Sequence, residues 1–113
     1  MILVVGGYAN GKRTYVQGLG FASDQMADGV FDDLPVLLNL QDAIAGDSRT
    51  PEQIADALVS KEAVTCCEVG SGIVPIEADE RAWREKVGRT CTILADRADS
   101  VVRMVCGIPV TLK

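Results

Sequence analysis

Ile2-Leu3-Val4-Val5-Gly6-Gly7-Tyr8-Ala9-Asn10-Gly11-Lys12 joins an unbroken apolar run, rich in β-branched residues, to a loop bracketed by glycines and closed by a lysine. A short apolar run without alternation is the pattern of a strand buried on both faces, and such strands belong to parallel sheets covered by helices on either side. Gly6, Gly7, Gly11 and Lys12 stand at the spacing of the GxxxxGK phosphate-binding loop, here in its required place between a predicted strand and a predicted helix. In such a loop the backbone N–H groups from Tyr8 through Asn10 to Lys12 converge on phosphate oxygens, and Lys12 reaches the outer phosphates. The plainer alternative is a tight strand-to-helix turn that needs glycine and binds nothing.

The next position carries the main departure. A loop that holds Mg²⁺ has Ser or Thr after the lysine, and this chain has Arg13. Thr14 is a poor substitute, because one step along a helix turns the side chain by about 100°. Arginine has five donors and no lone pair for a metal. Two outcomes stay open: Arg13 replaces the charge of the metal, or nucleotide binding has been lost. No metal ligand set is assigned.

Further along, the expected elements are a helix from Lys12 to about Met26, weakened by Gly18 and Gly20, and a brief strand Gly29-Val30-Phe31-Asp32. An apolar helix follows from Leu34-Pro35 through Ile44. Asp32, at the end of that strand, stands where P-loop proteins often place a second acidic residue near the metal, with Asp33 beside it as an alternative. Thr50-Pro51-Glu52-Gln53 reads as a helix start, with a Thr N-cap, Pro at the first helical position and Gln completing a capping box. Ala63 to Val69 is an expected strand, with Glu68 near its end beside the Gly70-Ser71-Gly72 turn. Pro75 introduces the longest helix, whose buried face is marked by Trp83, Val87, Cys91, Leu94 and Ala98. Ser100 to Cys106 is a further strand, and Ile108 to Leu112 an edge strand after Gly107. Alternating strands and helices indicate an α/β fold of three layers around a mostly parallel sheet, P-loop NTPase-like, in a single domain over residues 1–113.

Composition agrees with one core. The 113 residues are 48% hydrophobic and 24% charged, the balance of a globular chain. No apolar run approaches the roughly 20 residues that span a bilayer, and the N-terminus lacks the features of a removable leader. A soluble cytoplasmic protein without membrane contact is expected. A formal charge of −5 argues against a nucleic-acid surface, which needs clustered cations, but leaves room for a small phosphorylated ligand in a local cationic pocket. Cys66, Cys67, Cys91 and Cys106 lack CxxC spacing, the chain has no histidine, and the four are read as reduced core residues.

With Ile2 to Gly7 and Gly11-Lys12 in hand, the stretch Glu68-Val69-Gly70-Ser71-Gly72-Ile73-Val74-Pro75 adds a more specific pattern. Together with the long helix and the closing Val105 to Lys113, it resembles the adenosylcobinamide kinase/adenosylcobinamide-phosphate guanylyltransferase family of cobalamin biosynthesis. Asp32-Asp33-Leu34, with Asn39 beyond, is similar to that family's aspartate segment. The resemblance implies a P-loop fold that is frequently a homo-oligomer. It also implies GTP or ATP as cofactor, with Mg²⁺ left open by Arg13, and a cobinamide-type second substrate. It implies two reactions as well, phosphorylation of the aminopropanol arm and GMP transfer through a guanylylated histidine. The candidate nucleotide contacts are then Gly6, Gly7, Asn10, Gly11, Lys12, Arg13, Thr14, Asp32 and Glu68, with Lys12 as the catalytic cation. This chain departs from the family pattern in having no histidine and in keeping only a few residues between the first helix and the Val30-Phe31 stretch. The readings that remain are a kinase-type transferase, a non-catalytic nucleotide-binding or scaffold protein, and a P-loop kinase of another small metabolite.

Overall fold

Leu3 and Val4 are almost fully buried on opposite faces of their strand, as an apolar run without alternation requires. Their strand, β1 (Ile2–Gly6), lies inside a six-stranded sheet in a computed structural model that describes residues 1–68 and 77–113. The Gly70-Ser71-Gly72 turn, the Pro75 helix start and the end of the expected strand at Val69 lie outside the described residues.

The other strands are β2 (Met26–Asp28), β3 (Val36–Leu38), β4 (Ala63–Cys67), β5 (Ser100–Val105) and β6 (Ile108–Thr111). Their order is β2-β3-β4-β1-β5-β6, and every pairing is parallel except the β5–β6 hairpin. β1 pairs along its whole length, Ile2 to Gly6, with β4 on one side and β5 on the other. The helices are α1 (Lys12–Gly18), α2 (Leu40–Ile44), α3 (Pro51–Leu58) and α4 (Ala78–Arg97). They divide between the two faces. Val16 of α1 packs with Val4, Leu38, Val102 and Met104, whereas Ile54, Leu58, Val87 and Leu94 from α3 and α4 pack with Leu3, Leu37, Val64 and Val101. The result is the α/β, mostly parallel, three-layer arrangement of a P-loop NTPase-like fold. Among the described residues no helix is long and apolar enough to cross a membrane.

Three of the expected elements need correction. The first helix stops at Gly18 rather than near Met26: Leu19 and Gly20 donate to Val16 and Gln17 carbonyls, and Gly20 takes φ 109°. That left-handed conformation ends a helix at little cost for glycine. The strand expected at Gly29 to Asp32 is an irregular link with Val30 and Asp32 exposed and Phe31 packed against the core, and the true strand lies just before it, at Met26–Asp28. Gly29, at φ 71°, donates to the Leu38 carbonyl and closes the β2–β3 ladder. The helix expected from Leu34 begins only at Leu40, because Val36, Leu37 and Leu38 form a strand buried on both sides. Periodicity cannot separate a short buried strand from a buried helix segment. Pro35 tips the balance, since it disfavours helix at Leu34, and its carbonyl accepts from Glu62 N at 2.8 Å next to β4.

Elsewhere local signals and structure agree. Thr50 Oγ1 accepts from Gln53 N at 3.2 Å while Gln53 Oε1 accepts from Thr50 N at 2.9 Å, the reciprocal capping box read from the sequence. On α4, Val87 and Leu94 are buried, Trp83 and Cys91 pack against the same cluster, and Ala98 closes the face just past the helix end. Trp83 Nε1 donates to the Gln41 carbonyl at 2.8 Å and ties α4 to α2. Of the four cysteines, all free, Cys106 is exposed and so is not a core residue; it sits at φ 51° in the β5–β6 turn.

A tight polar knot precedes α3. Arg49 lies with its guanidinium 4.5 Å from the centre of the Phe31 ring and forks onto the Asp47 carboxylate, with Nη2 to Oδ2 at 2.8 Å. Hydrogen bonding from Arg49 holds the Asp47 carboxyl below its ordinary value. A depressed folded value means that this pair stabilises the fold above the unfolded Asp range, about 3.9, and that the contribution is lost as pH falls through the lower folded value. Asp47→Asn should therefore flatten the acid side of a stability-versus-pH curve measured by urea unfolding and leave its shape above about pH 6 unaltered. In the same assay Leu94→Ala should cost about 2–5 kcal/mol, whereas Thr50→Ala, which removes a cap and leaves the core intact, should cost about 1 kcal/mol.

Candidate functional site

At the end of β1 the chain leaves the sheet under a close contact. A Cβ on Gly6 would come within 2.7 Å of the Met104 carbonyl oxygen on β5, so only glycine fits there. The loop turns back through Ala9 at φ 58° and enters α1 at Gly11, whose φ of 88° suits glycine. Lys12 is 7% exposed, and its Nζ donates to the Gly7 carbonyl at 2.7 Å and the Gly6 carbonyl at 3.4 Å. The ammonium is thereby held inside the curve of the loop, where burying a charge demands such partners.

The loop borders an open hollow of about 190 Å³, lined by residues 8–14 together with Leu38, Asn39, Thr65 and Cys67. The sheet order explains its position. From β1 the chain runs through α1 on one face to β2, and from β4 it runs to α4 on the other face and then to β5. Connections that depart in opposite directions from neighbouring strands open a crevice at the carboxyl ends of those strands, where ligands of open α/β sheets bind.

The far wall is a chain of polar contacts. Asn39, at φ 57° between β3 and α2, donates its N–H to Thr65 Oγ1 at 2.9 Å and its side-chain amide to Asp28 Oδ1 at 2.6 Å. Gln41 donates to Asn39 Oδ1 at 3.3 Å and accepts from Cys67 N at 3.0 Å. The other carboxylate oxygen of Asp28 faces Arg13 Nη1 at 3.6 Å, which connects α1 to β2. Beneath this wall, the sulfur of Cys91 and burial together push the Cys66 thiol far above its ordinary value, which keeps it protonated and unreactive.

The structure thus gathers Asn10, Gly11, Lys12, Arg13 and Thr14 around one hollow, with Gly6 and Gly7 supplying the carbonyls that hold Lys12. Two expected residues are not brought there. Asp32 lies at the amino ends of β3 and β4, where Lys61 Nζ donates to its carbonyl at 2.6 Å and its Oδ1 accepts from Leu34 N at 2.8 Å. The loop after β1 is at the carboxyl ends, so a parallel sheet separates the two by its full height. Glu68 does sit beside the loop, donating its N–H to the Gly6 carbonyl at 2.8 Å. Its carboxylate, however, turns across the end of β1 to accept from Arg103 Nε at 2.7 Å and Nη2 at 3.1 Å.

Asp28 does not line the hollow itself but contacts two residues that do, Asn39 and Arg13, and neither it nor the lining residue Thr65 is among the residues expected from the sequence. The local signal for Asp28 is an acidic residue closing a short strand, the cue that also points four residues on to Asp32. For Thr65 it is a lone hydroxyl among apolar residues of a buried strand.

The family model of cobinamide kinase / cobinamide phosphate guanyltransferase matches residues 36–112. This chain belongs to that family. The matched region begins at β3 and runs through β6, so it includes Asn39, Gln41, Thr65 and Cys67 of the far wall, whereas the loop and Asp28 precede it. A search of curated proteins finds no match.

If the hollow takes a nucleotide, Asp32→Ala and Glu68→Gln, whose carboxylates are engaged away from it, should leave the affinity within about twofold of the parent chain by isothermal titration. Asn39→Ala, which removes a contact to Asp28 at the wall, should change it by more.

Proposed function

We propose that this chain binds a nucleoside triphosphate, GTP or ATP, in the hollow beside residues 8–14, as a cobinamide kinase/guanyltransferase homologue whose surviving chemistry is phosphoryl transfer. The observation that carries the reading is Lys12, a nearly buried ammonium held by two loop carbonyls at the crevice between β1 and β4. An ammonium has three donors, and beyond the two given to the loop carbonyls a phosphate oxygen is a partner that suits it. The hollow is smaller than the roughly 300–1,000 Å³ of sites that enclose a whole ligand. Phosphates would occupy it, and the base and a cobinamide-type acceptor would lie over the open side.

In this reading the loop N–H groups and Lys12 orient the outer phosphates and stabilise the charge that develops on the transferred group. Guanylyl transfer through a histidine is outside the reach of a chain with no histidine. The Arg13–Asp28 pair and that missing histidine favour a second reading, a nucleotide-binding or scaffold protein without turnover. Self-association fits both. Ile108, Val110 and Leu112 are exposed along the edge strand β6, an apolar row of the kind that a second copy of a sheet can cover.

Product formation from adenosylcobinamide with GTP or ATP separates the two readings. Turnover that falls by about 10²-fold or more in Lys12→Ala, with the variant still folded by circular dichroism, is the expected result for the kinase. Saturable binding without turnover would select the non-catalytic reading, and no binding to the parent chain would overturn both.

A further inference from the structure

The P-loop fold implies a Mg²⁺ ion on the outer phosphates, and the residues present here do not fit one. The hydroxyl that would ligate it is replaced by Arg13, whose guanidinium carries donors only and repels a cation. Of the strand-end carboxylates near the loop, Asp28 is engaged on both oxygens, one accepting from the Asn39 amide at 2.6 Å and the other facing Arg13 at 3.6 Å, and Glu68 accepts from Arg103 Nε at 2.7 Å and Nη2 at 3.1 Å. Among the described residues no group of three His, Cys, Asp or Glu side chains could hold a metal elsewhere.

Resting on the nucleotide reading of the same hollow, we infer that its phosphates are bound without a divalent cation, with the Arg13 guanidinium supplying the charge. Arg13 lines the hollow beside Lys12, and its side chain is 54% exposed. Its contact to Asp28 is long and solvated, so it holds the guanidinium only weakly. A phosphate offers the same planar fork a pair of oxygens with more charge, and arginine binds such groups through two parallel N–H···O bonds. Asp28, still held by Asn39, then limits how far the guanidinium travels. The two cations, Lys12 from inside the loop and Arg13 from its mouth, flank the place where outer phosphates would lie. This arrangement also defines the ligand class: a metal-free polyphosphate ester in preference to the Mg²⁺ complex, because the ion would have to approach Arg13.

The test is isothermal titration of the whole chain with GTP, and separately with inorganic tripolyphosphate, each in EDTA and in excess Mg²⁺. The expected result is binding in EDTA at least as tight as in Mg²⁺. Arg13→Ser should lose EDTA affinity by about tenfold or more, the weight of one charged hydrogen bond, and should bind better with Mg²⁺ than without. Arg13→Lys, which keeps the charge and loses the fork, should fall between the two and remain indifferent to the metal. Parent binding that needs Mg²⁺ would overturn the inference and leave the nucleotide reading standing. Failure of both probes to bind in either buffer would overturn the nucleotide reading itself. Should Arg13→Ser not fold, the parent comparison and Arg13→Lys still decide.

Discussion

The close approach of Gly6 to the Met104 carbonyl fixes the point at which the chain leaves the sheet, and the candidate site depends on it. β1 has a partner along each side for its whole length, so it cannot shift sideways or slip without breaking two ladders. A side chain at Gly6 would push β1 from β5 and tilt the loop that follows. With glycine there, the loop rises directly over the strand ends, its carbonyls curve around the Lys12 ammonium, and α1 descends on the face opposite α3 and α4. The position of the hollow is thus a consequence of sheet order, and its contents are a consequence of one loop.

Much of this was legible in the residues because several signals were local and redundant. The run Ile2 to Val5 followed by the glycine-lysine spacing located β1, the loop and the start of α1 without any long-range information. Thr50, Pro51 and Gln53 each marked the same helix start. The spacing of Val87, Cys91 and Leu94 marked the face of α4 that meets the core. The failures were of another kind. Val36 to Leu38 are compatible in composition with strand or helix, and what decides is that β4 and β2 lie on either side, which is tertiary information. A strand expected at Gly29 to Asp32 and found at Met26–Asp28 moves the strand-end carboxylate from Asp32 to Asp28, and so from the amino end of the parallel sheet to its carboxyl end. Glu68 was placed correctly along the chain, but its side-chain direction depended on Arg103, 35 residues away. Proximity in sequence to a loop does not settle where a carboxylate turns.

Family membership and site geometry bear on different halves of the chain. The matched region from residue 36 to 112 holds the far wall of the hollow and most of the core. The near wall, with Lys12 and Arg13, stands on its own geometry. The wall residues inside the match are held by hydrogen bonds to one another, Asn39 to Thr65 and Gln41 to Cys67, which leaves their shape independent of what the loop binds. A scaffold of that kind tolerates changes of chemistry at the loop.

β2 and β3 are three residues each, and the link between them, residues 29–35, spans the sheet without a helix. Short strands permit it, since three residues rise only about 10 Å. β2 is also the edge strand, so among the described residues it has one ladder, on one side, at the rim of the sheet. Segments with so few backbone bonds open at free energies well below that of global unfolding. Asp28 rides on this rim and faces Arg13. Fraying of the rim would therefore remove the carboxylate from the guanidinium while the central strands stay paired, so the cation offered at the mouth of the loop is set by a local equilibrium at the margin of the sheet as well as by the loop itself.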